Sequence, residues 1–91
     1  MRTIIFYNQQ EDIIDMHGVV FGGTVRERLA ILQLFDLGEL ETLLVHKSRA
    51  VGWRVSTSSH HVVVGFIGIE EFSYGELVQC CGRVTVKHHG E

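Results

Sequence analysis

Apolar positions in this chain recur at two periods, one helical and one extended. Val25, Leu29, Leu32 and Phe35 fall at helical spacing, Ile31 widens their stripe, and Arg26, Glu27 and Gln33 lie away from its middle. Thr24 stands three residues before Glu27, the spacing of a capping box in which hydroxyl and carboxylate each satisfy a backbone N–H that the first turn leaves open. A helix starting at Thr24 is therefore predicted, with Val25, Leu29, Leu32 and Phe35 buried. Asp36-Leu37-Gly38 interrupts it, and Leu40, Leu43 and Leu44 resume the stripe as a second, shorter helix. His46, Lys47 and Arg49 would place cations at the negative end of that helix, and Gly52 would stop it.

The extended period appears on either side. In residues 2–8, Ile5 and Tyr7 share one face and Ile4 and Phe6 the other, the pattern of a strand covered on both sides. Ile13-Ile14 and then Val19-Val20-Phe21 read as a second strand broken near Gly18, stopped by Gly22-Gly23. Trp53, Val55 and Thr57 alternate with Arg54 and Ser56 as a third strand, residues 58–60 turn, and residues 61–64 make a fourth. Gly65, Gly68 and Gly75 chop residues 66–77 into an irregular stretch with one helical turn near residues 70–74. Val84 and Val86 then alternate with Thr85 and Lys87 in a last strand.

Ninety-one residues make a single domain, residues 1–91, that buries about 60 to 65% of its unfolded surface. Hydrophobic residues at 45% and charged residues at 21% place it among globular chains. The net charge of −3 and the scatter of its eight Lys and Arg, apart from Lys47, Arg49 and Arg54, argue against a nucleic-acid-binding stripe. The longest apolar run, residues 62–69, is far short of the roughly 20 residues of a membrane helix, so no membrane partner is expected. The apolar patch of residues 4–7 is too short for a secretory signal, which points to the cytoplasm. The adjacent pair Cys80-Cys81 would close a strained ring, so free thiols are expected.

Candidate chemistry is sparse. His60-His61 and His88-His89 suggest metal ligation, but neighbours on a strand point to opposite faces and no acidic residue or Cys flanks them at ligand spacing. Cys80-Cys81 lacks the spacing of a redox motif, and the Glu70-Glu71 carboxylates diverge. Gly22-Gly23 precedes a helix without the Lys-Ser/Thr of a phosphate loop, and Glu27 would repel phosphate there. No catalytic, cofactor-binding or metal-binding residue is assigned, and neither a cofactor nor a small-molecule substrate is expected. Phe72 and Tyr74, on a Gly-interrupted stretch, and Trp53 are the aromatic residues predicted to anchor a partner protein.

Strand, hairpin, crossing helix and further strands is the order of an α+β fold of the β-grasp, or ubiquitin-like, type. It implies a mixed sheet of four or five strands with one main helix, broken in two, packed across it, and the first and last strands side by side. A competing parse makes residues 25–35 and 40–47 a helix-turn-helix and residues 53–64 the wing of a DNA-binding winged helix, but its second helix opens Glu39-Leu40-Glu41, acidic where phosphate would sit.

In residues 2–7 and the helix opening at Thr24, the chain resembles the small sulfur carriers of molybdopterin and thiamine synthesis. It lacks their C-terminal Gly-Gly, ending Lys87-His88-His89-Gly90-Glu91. It is also similar to the N-terminal ubiquitin-like part of the lambda-type tail assembly protein I of long-tailed bacteriophages. That similarity runs through Ile4-Ile5-Phe6-Tyr7, Arg28-Leu29 with Leu34, residues 40–44, Gly52-Trp53-Arg54-Val55, Ile69-Glu70-Glu71-Phe72 and Gly82-Arg83-Val84-Thr85-Val86. It implies a non-enzymatic module that grips a larger tail-tip protein in the host cytoplasm or the virion. A small phage or host protein that binds and inhibits another protein is the alternative.

Overall fold

In the computed structural model, which describes residues 2–56 and 61–85, strands and helices are mixed around one sheet. In chain order they are β1 (Arg2–Tyr7), a 3-10 turn (Gln10–Ile13), β2 (Val19–Val20), α1 (Val25–Asp36), β3 (Thr42–His46), a 3-10 turn (Lys47–Arg49), β4 (Val55–Ser56), β5 (Val62–Phe66), a 3-10 turn (Ile69–Glu71), α2 (Tyr74–Cys81) and β6 (Val84–Thr85). The main sheet has the order β2-β3-β1-β5 with every pairing parallel, and β4 pairs with β6 in a separate two-stranded ribbon.

The layered α+β character expected from the sequence is present, but the pairing is not the mixed sheet of the β-grasp expectation. β1 lies between β3 and β5, so its two edges are taken, and Val84–Thr85 pairs with β4 instead of β1. Among the described residues β4 and β5 belong to different sheets and do not pair as a hairpin, and the turn expected at residues 58–60 lies outside the described residues. This removes the wing of the winged-helix parse as well.

The expected second helix is the strand β3. Gly38 takes a φ of 82° and ends α1 outright, with the Gly38 N–H donating to the Phe35 carbonyl at 3.1 Å. Leu43, Leu44 and Val45 then form a run of three apolar residues, all buried, which a central parallel strand covered on both faces can satisfy and a one-sided amphipathic helix cannot. The stretch expected to be irregular contains α2 instead. Its start is a capping box: the Ser73 hydroxyl accepts from the Glu76 N–H at 3.1 Å, and the Glu76 carboxylate from the Ser73 N–H at 2.8 Å.

Register sorts the side chains. Phe6 pairs with Val45 and Phe66, so Ile4, Phe6, Leu43, Val45, Val62, Val64 and Phe66 share one face. There they pack with Leu32 and Phe35 of α1 and with Ala50, Val55, Phe72 and Cys80. Tyr7 and Leu44 point to the other face, with Ile13 of the first 3-10 turn and the partly buried Ile5, Met16 and Ile67. On α1 the packed side is Leu32 and Phe35, whereas Val25 and Leu29, expected to be buried, are 64% and 57% exposed. Phe21 and Trp53, in tilted contact at 5.1 Å, line an open groove with these two residues. No helix of the described residues is long and apolar enough to cross a membrane.

Candidate functional site

Parallel strands present their carboxyl ends along one edge, and the topology singles out one place on it. From β1 the chain passes beyond β3 to reach β2; from β3 it passes beyond β1 to reach β5. Crossovers of one hand that travel in opposite directions lie on opposite faces of a sheet. The two cores agree: Ile13, from the β1 connection, packs on one face, and Ala50 and Val55, from the β3 connection, on the other. Between the carboxyl ends of β1 and β3 there is thus a switch point, the position at which open parallel sheets bind ligands.

The residues at that point are polar and linked. His46, the last residue of β3, has Nε2 2.7 Å from the Asn8 carbonyl oxygen, and its Nδ1 accepts from the Ser48 N–H at 3.1 Å and lies 2.7 Å from Ser48 Oγ. Asn8 in turn donates from Nδ2 to the Glu71 carboxylate. Lys47 Nζ donates to the Glu71 carbonyl at 3.1 Å and to Glu76 Oε1 at 3.2 Å, and it stands 5.3 Å from the centre of the Phe72 ring. Three segments far apart in sequence, the ends of β1 and β3 and the start of α2, are joined here through one ammonium, one imidazole and two carboxylates.

The electrostatics follow the contacts. The Ser73 N–H, then the Lys47 ammonium, holds the Glu76 carboxyl below its ordinary range. Burial raises the Tyr7 phenol against the opposing charge of Arg49. The His46 lone pair is occupied by Ser48, so the imidazole is a bridge and not a free general base. What the arrangement can do is hold an anion: a compact ammonium, a neighbouring hydroxyl and a second cation, Arg49, sit on one short turn after a strand end.

The aromatic residues predicted as partner anchors are dispersed by the fold. Phe72 is 7% exposed, packed edge-on against Phe66 at 5.4 Å and under Lys47, so it belongs to the core and offers no surface. Tyr74, at the start of α2, is 83% exposed. Trp53 is half-buried; its Nε1 donates to the Arg49 carbonyl at 2.6 Å, and its ring lines an open groove with Val25, Arg28, Leu29 and Val51. Cys80 is buried, and burial, with Cys81 and Glu76 nearby, pushes its thiol up to about 11; Cys81 is exposed.

Among the described residues no group of three His, Cys, Asp or Glu is placed to hold a metal. His60, His88 and His89 lie outside those residues. The switch-point cluster escaped sequence reasoning because Asn8, Lys47 and Glu71 form no local motif; only Ser73-x-x-Glu76 was a readable signal. The chain matches no protein-family model, no curated protein and no solved structure with which it was compared.

Proposed function

We propose that the chain is a ligand-binding α+β domain that holds a phosphate-bearing ligand, a nucleotide or the backbone of a nucleic-acid strand, at the carboxyl ends of β1 and β3. The observation that carries this reading is the switch point itself, with Lys47, Ser48 and Arg49 on the turn beyond β3 and Asn8 beyond β1. An incoming phosphate would take over the Lys47 ammonium from Glu76, exchanging one charge-assisted contact for another. The sequence has no glycine-rich phosphate loop with its Lys-Ser/Thr, so the contacts would come from Lys47, Ser48 and Arg49 on the turn beyond β3. With a net charge of −3, long-range attraction is small and recognition is local. Titration of the 15N-labelled protein with ATP in one arm and a single-stranded oligonucleotide in the other distinguishes the two sources. Amide shifts at Asn8 and Lys47 to Arg49, saturating below about 1 mM and lost in Lys47→Ala, are expected in at least one arm. Unmoved signals at those residues in both arms overturn the reading.

A second reading, a non-enzymatic module that grips a larger protein, is favoured by the groove of Val25, Leu29, Val51 and Trp53 and by the exposed Tyr74. The tail-assembly resemblance supports a tail-tip partner for it. The finer β-grasp assignment draws on element order alone, and the parallel pairings of β1 count against it. Leu29→Asp and Tyr74→Ala should each weaken capture of such a partner while leaving the circular dichroism spectrum unchanged; undiminished capture removes this surface from consideration.

A further inference from the structure

We propose that His46 is a proton-operated latch on the ligand edge: neutral, it caps the Lys47–Arg49 turn, and protonated, it releases it. The inference rests on the reading of that edge as an anion site. The hydrogen-bond set fixes the tautomer. Asn8 offers His46 Nε2 a carbonyl oxygen, which only accepts, so Nε2 carries the proton. Ser48 offers Nδ1 a backbone N–H, which only donates, so Nδ1 carries the lone pair. His46 is the N-cap residue of the 3-10 turn, and this lone pair is the acceptor that satisfies the turn's Ser48 N–H.

A second proton can only go to Nδ1. The Ser48 hydroxyl, 2.7 Å away, is able to rotate and accept from the new N–H, but the backbone N–H of Ser48 cannot reverse and is left facing a donor. The cap is lost while the Nε2–H bond to Asn8 survives, so the ring stays on β1 and the turn comes free. Every group facing the ring bears on the outcome. These are the Tyr7 ring at the end of β1, edge-on at 5.3 Å, the Asn8 carbonyl just beyond it, and Ser48 of the turn, on which the cations Lys47 and Arg49 also lie; Asn8 links the ring to the Glu71 carboxylate. A bound anion and the imidazolium would attract one another.

Long-range 1H–15N correlation of the imidazole is the test, followed from about pH 8 to about pH 5. At the upper end the ring should show Nε2–H with an unprotonated Nδ1. On acidification the Ser48 amide should shift with the midpoint of the ring itself, and its hydrogen exchange, corrected for pH, should quicken about five- to tenfold, as the loss of one net hydrogen bond implies. His46→Asn, whose side-chain oxygen caps the turn without titrating, should hold Ser48 protected throughout. Sulfate, which keeps its charge over this range, should bind the wild-type edge about two- to fivefold more tightly at the lower pH, and His46→Asn with no such gain. An Nδ1–H tautomer at the upper pH, or a ring that titrates while the Ser48 amide stays still, overturns the latch. A Ser48 amide that titrates as expected while sulfate moves no edge signal at either pH upholds the latch and counts against the ligand site alone.

Discussion

The guanidinium of Arg2 donates from Nη1 to the carbonyl oxygen of Phe35 at 2.8 Å, so the first residue of β1 closes the last turn of α1. The same group lies 5.0 Å from the centre of the Phe35 ring and 3.7 Å from Asp36 Oδ1. The Arg2 side chain is 5% exposed and that of Asp36 48%, so the bond to the carbonyl should matter more than the ion pair. Arg2→Met, which keeps the stem and leaves the carbonyl without this donor, should cost about 1 to 3 kcal/mol in urea unfolding, and Asp36→Asn less than about 1 kcal/mol. Equal losses would make the ion pair the dominant link.

Packing on α1 should grade by position. Phe35→Ala should cost about 3 to 5 kcal/mol and Leu32→Ala about 2 to 5 kcal/mol through the cavities they leave, whereas Leu29→Ala, on the exposed side, should stay within about 0.5 kcal/mol. Thr24→Ala should fall between, at about 0.5 to 2 kcal/mol, through the lost cap. A large loss at Leu29 would place the packing face where the sequence pattern alone puts it.

Acid should weaken both helix starts. The Thr24 backbone N–H holds the Glu27 carboxyl below its ordinary range, and the Ser73 N–H does the same for Glu76. Carboxyls depressed in the folded state contribute stability above their unfolded value of about 4.3 that is lost as pH falls through the folded one. Glu27→Gln and Glu76→Gln together, which retain a capping-box side chain without its charge, should flatten the fall in stability below about pH 5 seen by chemical denaturation. An unchanged slope would assign the acid sensitivity to other carboxyls.

The two cysteines should differ in reactivity. Cys80 is buried, with its thiol raised to about 11, and Cys81 is exposed. A small alkylating reagent at neutral pH should label Cys81 alone in the native protein and both after unfolding, read by mass spectrometry. Because the folded value of Cys80 is raised, its contribution to stability is whole below the unfolded thiol value of about 8.5 and declines as pH rises toward the folded one. Cys80→Ala should remove that alkaline decline, at the cost of a smaller side chain in the core.

Local signals fixed local features. Thr24 and Glu27 set the start of α1, Gly38 its end, and the two-sided apolar pattern of Ile4, Ile5, Phe6 and Tyr7 the central strand, since capping geometry and side-chain alternation depend only on near neighbours. The Ser73-x-x-Glu76 box carried the start of α2 in the same way, although Gly75 within its first turn made the stretch read as irregular. Leu40, Leu43 and Leu44 fit a helical stripe as well as a strand, and only the parallel partners β1 and β2, which cover both edges of β3, decided between them. The tertiary structure alone decided strand order, and with it the switch point. His46 meets Asn8, 38 residues away, because two crossovers on opposite faces bring the carboxyl ends of β1 and β3 side by side, and Lys47 meets Glu76, 29 residues away, at the start of α2; neither relation is encoded in any local periodicity.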